Sequence, residues 1–329
     1  MNRQNLSTGG ALATMAASAA GNQAGAALGA HAFPAIGPAG VVAVRQFVAA
    51  AVLLPVARPN LRRFTWAQWW PTLLLGLVFA TMNLSLYTAV DRIGLGLAVT
   101  LEFLGPLAVA LAGSRTSADL GLALVAGAGV YVLVLPGPSS DFFGVGMGLL
   151  AAVCWAAYIL LNRLVGKRLP GLQAPAAATA VSAAMYVPVA VIMAMHGRFG
   201  LAAVGWAIGA GVLCSVVPYA ADLVALRRIP TRFFGLLQSV HPVFAALAGA
   251  AILGQVPAAH VWAGIAIVVG TNVVAVAARL ARPAAQDGDA LAGQVVEGDG
   301  PSGHGEHQGD HRPGRLRPVA VAPGGVGGA

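Results

Sequence analysis

Acidic residues are scarce in the first 282 positions of this chain, and this scarcity constrains its fold more than any other feature. Six of the eleven acidic residues lie after Arg282, so only five are spread over everything before it. Only 9% of the chain is charged, against about 25% in ordinary soluble domains, while 58% is hydrophobic. One globular core of this length cannot hide so much apolar surface. The sequence therefore predicts a chain embedded in lipid and excludes a soluble enzyme.

Apolar runs of about 20 residues, the length at which a helix crosses a bilayer, recur between Arg, Pro and Gly-rich breaks. They predict an all-α integral membrane protein with ten transmembrane helices, at 11–30, 37–56, 69–89, 94–113, 118–136, 143–163, 174–195, 201–221, 232–252 and 258–279. The first run is the weakest, because Asn22 and Gln23 interrupt it. A cleavable signal peptide is the competing interpretation, but Arg3 is the only charge before the run and no compact apolar segment follows.

Basic residues indicate the direction in which these helices cross. If the N-terminus is cytoplasmic, thirteen Lys and Arg residues near helix ends face the cytoplasm, whereas only Arg92 and Arg198 lie outside and Arg45 falls within a span. This excess is the positive-inside pattern, so both termini are predicted to be cytoplasmic. The net charge of +8 does not indicate a nucleic-acid partner, because the basic residues are spaced between apolar runs and form no patch.

The composition changes at Pro283, after which Gly, Pro, Asp, His and Gln are frequent. Such a segment cannot bury enough apolar area to order itself, so 283–329 is predicted to be a disordered cytoplasmic tail. Its histidines could bind a metal, but a short polar tail is more often only solvated. We assign no chemistry to His304, His307 and His311.

Motifs for catalysis or cofactor binding are absent from the sequence. No GxSxG, HExxH or Walker sequence occurs, and Ser139 and Ser140 lie in a predicted loop without a nearby His. Cys154 and Cys214 lie inside apolar runs without CxxC spacing, so they are predicted to pack and not to form a disulfide or a zinc site. The sequence argues against an enzyme, predicts no metal or cofactor, and favours a gradient over a nucleotide as the energy source.

An internal repeat is visible when the chain is aligned with itself at an offset of 136 residues. AVDRIGLGLAVTLEFLGPLAVALAG (89–113) then lies over ALRRIPTRFFGLLQSVHPVFAALAG (225–249) without a gap. The copies share an Arg-Ile pair and a proline in register. The predicted halves, 1–140 and 141–282, hold five spans each, and an odd number inverts the second copy. Inverted repeats are typical of secondary transporters with a substrate site near the midplane between the halves.

The segment AVDRIGLGLAVTLEFLGPLAVAL resembles the fourth-helix signature of EamA-type transporters in the drug/metabolite transporter superfamily, and is most similar to threonine/homoserine exporters of bacterial inner membranes. The resemblance covers roughly residues 10–280. It implies two inverted five-helix halves, a cavity lined mainly by the third, fourth, eighth and ninth helices, and proton-coupled efflux of small metabolites. Two features depart from the family: Gln255 replaces the acid of a common Leu-Gly-Glu sequence, and the tail after 283 has no counterpart.

Glu102 is the one acidic residue that falls well inside a span, one turn before Pro106. A charge at mid-bilayer costs about 2.5 to 3.5 kcal/mol on insertion scales, so such a group faces a cavity or a partner. A carboxyl group held away from water binds a proton more readily, and could carry the coupling proton or contact a substrate ammonium. The alternative is a structural ion pair with Arg45. Because Arg45 stays charged, it is a candidate clamp for a substrate carboxylate or a packing residue, and not the proton carrier.

Polar residues of the third, eighth and ninth helices extend the predicted site. Asn83 and Tyr87 are four residues apart and share a helix face, where an amide and a phenol suit a zwitterion. At the repeat offset, Tyr219 aligns with Asn83, and Gln238 aligns with Glu102. The two halves therefore keep a polar position, but only one half carries a charge there.

Two further polar positions are open to more than one interpretation. His241 aligns with Gly105 of the first half, and could titrate near neutral pH or serve as a hydrogen-bonded packing residue. Asn22 and Gln23 in the weak first helix either bond other helices or line the cavity.

Together these observations predict a bacterial inner-membrane secondary transporter that exports small amino acids, such as threonine or homoserine, or related metabolites. Its predicted partners are the small-molecule substrate, protons and the lipid bilayer. An efflux carrier for amphipathic drugs or cations is the alternative within the same class. An intramembrane enzyme or a transport-inactive subunit is the alternative from a different class.

Overall fold

The computed structural model describes residues 3–112, 117–135, 141–169, 172–197, 200–216 and 239–281, and their regular structure is helical throughout. The helices are α1 (Arg3–Ala30), α2 (Phe33–Ala57), α3 (Trp66–Ile93), α4 (Leu95–Glu102), α5 (Leu104–Ala112), α6 (Ser117–Val134), α7 (Phe142–Gly166), α8 (Gln173–Met185), α9 (Val187–Met195), α10 (Leu201–Gly211), α11 (His241–Leu253) and α12 (Ala259–Ala281). A 3-10 turn at Leu61–Arg63 precedes α3, and a π turn at Val212–Val216 follows α10.

Many of these helices have the length and composition of membrane spans. Within the described ranges, six helical segments are long and apolar enough to cross a membrane, where α8 and α9 count as one segment: Phe33–Ala57, Trp66–Ile93, Ser117–Val134, Phe142–Gly166, Gln173–Met195 and Ala259–Ala278. Shorter apolar helices lie at Leu95–Val109, Leu201–Cys214 and His241–Leu253. The prediction of an all-helical membrane protein is confirmed for this part of the chain. The start of the predicted ninth span lies outside the described residues.

Two of the predicted spans are not continuous helices, and proline explains both corrections. The run 94–113 divides at Phe103 into α4 and α5, and the run 174–195 divides at Tyr186 into α8 and α9. A proline ring clashes with the carbonyl four residues before it and disfavours helical geometry at the preceding residue. Pro106 lies just after the first break and Pro188 just after the second. The second half has a similar arrangement, because a turn at 239–240 precedes His241 and Pro242 at the start of α11.

The packing of the helices follows a regular pattern. We count α4–α5 and α8–α9 as one span each, and α10 together with its π turn. Most pairs of spans in contact then correspond to a second pair in contact, whose members each lie five spans away along the chain. The helix α3 packs on α7 and α8, as α10 packs on α1 and α2. Likewise α4 packs on α7, as α11 packs on α1. The contacting pairs α2–α8, α4–α11 and α6–α12 each join two spans that are themselves five apart.

Contacts between helix ends show that α3 and α7 run antiparallel. At the end of α3, Arg92 Nε lies 2.8 Å from Asp141 Oδ2, just before α7. The N–H of Gly144 also donates to Asp141, and this bond, followed by the Arg92 guanidinium, holds the pKa of Asp141 below its usual range. At the opposite end, Gln68 Nε2 donates to the Arg168 carbonyl at 3.1 Å. Arg92 and Arg168, predicted on opposite sides of the membrane, therefore lie at opposite ends of this helix pair.

Candidate functional site

A cavity of about 200 Å³ lies at the meeting point of helices from both halves of the sequence. Its wall is formed by residues of α1, α2, α3, α4 and α7, by Phe103 at the first helix break, by Cys214 in the π turn and by His241 at the start of α11. The lining residues are Ser18, Ala19, Asn22, Gln23, Ala26, Arg45, Met82, Asn83, Leu86, Tyr87, Val99, Glu102, Phe103, Trp155, Cys214 and His241.

The two charged groups predicted from the sequence both line this cavity, but they do not pair with each other. Glu102 is the last residue of α4, directly before the break at Phe103, and is only 6% exposed. Among the described residues the ion pair that forms is Arg92–Asp141, so the predicted alternative, a closed pair between Glu102 and Arg45, is not formed. The Arg45 guanidinium lies over the Tyr87 ring, 5.3 Å from its centroid. One acid and one guanidinium thus remain available in the same cavity.

Asn83 and Tyr87 line the cavity from α3, as their spacing predicted. The Asn83 amide also donates to the Phe79 carbonyl at 2.8 Å, one turn earlier. The Tyr87 hydroxyl is buried beside the Arg45 guanidinium and the Cys214 thiol. Tyr219 and Gln238, which were predicted to face this site from the second half, lie outside the described residues.

Gln23 and His241 connect the first half of the chain to the second. Gln23 Nε2 lies 3.1 Å from His241 Nδ1, and both side chains line the cavity. The His241 ring stacks on Phe103, with 5.5 Å between centroids and 28° between planes. Phe103 in turn contacts Trp155 edge-on, with 4.6 Å between the ring centroids. The side chains at the two helix breaks, Phe103 and His241, are therefore in direct contact.

Residues of the first, second and sixth spans also line the cavity, which the family resemblance assigned mainly to the third, fourth, eighth and ninth helices. Asn22 and Gln23 line the cavity, and the Asn22 carbonyl accepts a hydrogen bond from the Cys214 thiol at 3.1 Å. Cys214, predicted as a packing residue, is part of the wall. Within the described ranges, no group of three or more His, Cys, Asp or Glu side chains is arranged to hold a metal ion.

Gly105, the residue aligned with His241 in the repeat, has a different environment. It lies so close to α7 that an added Cβ would overlap the Ala152 carbonyl oxygen and come within 3.2 Å of the Ala156 nitrogen. The first half therefore has a direct helix contact at this position, where the second half has a side chain that extends to α1.

Gln255 has a structural role that the sequence did not reveal. Its Oε1 accepts a hydrogen bond from the N–H of Leu95 at 3.0 Å. Leu95 is the first residue of α4, and its N-cap, Gly94, has no side chain to satisfy the free N–H groups of the first turn. Gln255 thus caps a helix of the first half from the loop after α11. The family resemblance implies a glutamate at this position.

Substitution of Gln255 by alanine should lower the free energy of unfolding by about 1 kcal/mol, the usual cost of losing a helix cap. Gln255→Glu should be at least as stable as the natural chain, because a carboxylate near a helix N-terminus gains about 0.3 to 1 kcal/mol. Denaturant unfolding of the detergent-solubilised proteins measures both values. Equal stability of Gln255→Ala and the natural chain would contradict the capping role.

Comparison with known proteins gives matches over most of the chain. The model of the EamA-like transporter family matches residues 142–276. The threonine/homoserine exporter RhtA of Salmonella typhimurium is 34% identical over 236 residues, which cover 71% of this chain and 80% of that protein. RhtA of Escherichia coli K12 matches with the same identity and coverage. The uncharacterized protein PA1977 of Pseudomonas aeruginosa is 32% identical over 183 residues, or 54% of this chain and 62% of that protein.

A solved crystal structure also aligns with this chain. The TM-score is 0.50 at 21% sequence identity, and the alignment covers 82% of this chain and 98% of the solved one. At this identity the similarity concerns the fold alone.

Proposed function

This chain belongs to the EamA-like transporter family, and on that premise we propose that it exports small zwitterionic amino acids of the threonine and homoserine kind from the bacterial cytoplasm. The observation that carries the proposal is the pair of opposite charges, Glu102 and Arg45, which line one cavity without forming an ion pair. A zwitterion has a group for each of them. Arg45 binds the substrate carboxylate, since a guanidinium matches carboxylate geometry, and Glu102 faces the ammonium.

The size of the cavity favours a small metabolite over an amphipathic drug. Its volume of about 200 Å³ is below the range of about 300 to 1,000 Å³ that is usual for pockets that hold drug-sized ligands. Asn83 and Tyr87 add hydrogen-bonding groups on the α3 side of the cavity. Tyr219 and Gln238 belong to the proposed site by their alignment in the repeat.

Alternating access between two inverted halves is the proposed mechanism. The matched packing of helices five spans apart supports ten spans arranged as repeats at 1–140 and 141–282. The change of composition at Pro283 supports a cytoplasmic tail at 283–329. Broken helices near the site are typical of such transporters. Glu102 carries the coupling proton, since it is buried in the cavity wall and forms no ion pair with another described residue. The distribution of basic residues supports cytoplasmic termini.

Transport in reconstituted vesicles tests this proposal. With a proton gradient imposed, labelled threonine and homoserine should move against their concentration gradient and remain chemically unchanged. Vesicles without the protein, and protein vesicles treated with a protonophore, are the controls. Flux of cationic dyes alone would instead indicate a drug carrier, a chemically altered product would indicate an enzyme, and no flux under any gradient would indicate a transport-inactive subunit.

A further inference from the structure

Two neutral side chains of the cavity wall, Gln23 and His241, have no part in binding the charged groups of the substrate. Gln23 is 4% exposed and reaches the cavity from α1, and its amide lies 3.1 Å from the His241 ring. The stack on Phe103 fixes the plane of the His241 ring, and Phe103 in turn has an edge-to-face contact with Trp155. The pair is therefore held in a defined orientation at the wall of the cavity.

The hydrogen bond between these side chains uses only some of their hydrogen-bond donors and acceptors. With the Gln23 N–H donating to Nδ1, the neutral ring carries its proton on Nε2, which bonds to no other described residue. Gln23 keeps its carbonyl oxygen as an acceptor and a second N–H as a donor. A hydroxyl group is both a donor and an acceptor, so a substrate hydroxyl can accept from His241 Nε2–H or bond to the remaining amide groups of Gln23. A methyl group in its place would leave buried polar groups unpaired, which is costly.

We propose that Gln23 and His241 determine side-chain specificity by binding the hydroxyl group of the substrate, while Arg45 and Glu102 hold its carboxylate and ammonium. This inference rests on the proposed function and narrows the substrate class to small neutral amino acids with a side-chain hydroxyl. Sites built to hydrogen-bond a substrate hydroxyl reject analogues that lack it far more strongly than apolar pockets separate substrates by size.

Pairs of isosteric amino acids test the proposal with the natural protein. Valine has the shape of threonine with a methyl group in place of the hydroxyl, and norvaline has the same relation to homoserine. In reconstituted vesicles, the ratio of maximal rate to KM should favour the hydroxylated member of each pair by about tenfold or more, as expected for the loss of one or two buried hydrogen bonds. Equal transport of both members of each pair would overturn the inference.

Variants of the two residues test whether they cause this preference. His241→Phe keeps a ring for the stack on Phe103 but removes the donor, and Gln23→Leu keeps similar volume without polar atoms. Both should lower the threonine-to-valine ratio towards one through a higher KM for threonine, with valine transport retained. His241→Gln should recover part of the preference. Gly127→Ala, at a helix position where an added Cβ contacts no other atom, is the matched control.

A structural role for the bond predicts a different result, because loss of helix contacts would lower threonine and valine transport equally and leave their ratio unchanged. An unchanged ratio in both variants would therefore overturn the proposal. If one variant fails to insert into the membrane, the other variant and the isosteric pairs in the natural protein still test the proposal. If the natural protein exports neither threonine nor valine, the proposed function fails, and this inference fails with it.

Discussion

Replacement of Glu102 by glutamine should reduce proton-driven export to the level of empty vesicles while substrate exchange at equal concentrations persists. The amide keeps the shape and hydrogen bonding of the acid but cannot titrate. Exchange requires only binding and the conformational change, whereas net export also requires a proton to be carried. The substitution also makes this position identical to Gln238, its counterpart in the repeat. Counterflow and gradient-driven uptake, measured in the same vesicles, separate the two activities.

The structure also predicts that Glu102→Gln remains folded. Breaking a buried ion pair costs about 3 to 5 kcal/mol, but Glu102 and Arg45 do not form one. Thermal unfolding of the variant should therefore stay close to that of the natural protein. Asp141→Asn, which alters a carboxylate outside the cavity, should keep proton-driven export. Unchanged export by folded Glu102→Gln would contradict the coupling role, and loss of folding would indicate a structural acid.

Alanine at Gly105 should prevent normal folding. The added Cβ would overlap the Ala152 carbonyl oxygen, which belongs to the backbone of α7 and cannot rotate away as a side chain would. Overpacking a core usually costs about 1 to 3 kcal/mol, and a clash with backbone falls at or above the upper end of this range. We expect little protein in the membrane and a clearly lower unfolding temperature for any that is recovered.

Gly146→Ala is the matched control for this prediction. Gly146 lies on α7, the helix that Gly105 contacts, but an added Cβ there meets no atom within 4 Å. Alanine is the better helix former by up to about 1 kcal/mol, so this variant should be as stable as the natural chain or slightly more stable. Normal expression and stability of Gly105→Ala would show that α5 and α7 do not pack as closely as described.

The sequence predicted the helical spans well, because an apolar run of bilayer length rarely forms anything but a membrane-spanning helix. It also identified residues whose presence in lipid is costly, namely Glu102 and Arg45, and the helical spacing of Asn83 and Tyr87. All four line the cavity. Their polarity distinguishes them from the surrounding apolar sequence.

The apolar part of the site could not be predicted in this way. In a soluble protein the buried face of a helix is more apolar than the exposed face, but lipid makes both faces of a membrane helix apolar. Phe103, Trp155 and Cys214 therefore look like any other residues of their spans. Gln255 was missed for another reason: its partner is the N–H of Leu95, 160 positions away, and no side-chain pattern marks a free backbone group.

In the proposed alternating-access cycle, the contrast between Gly105 and His241 bears on whether the empty protein is open to the cytoplasm or to the outside. Two identical inverted halves would give inward-facing and outward-facing arrangements of equal free energy, because exchanging the conformations of the halves interconverts the two states. At this aligned position one half packs directly on α7, whereas the other extends an imidazole to Gln23 of α1. This position therefore contributes a difference in free energy between the two arrangements of the proposed cycle. Substitution at either position should shift the populations of the empty protein.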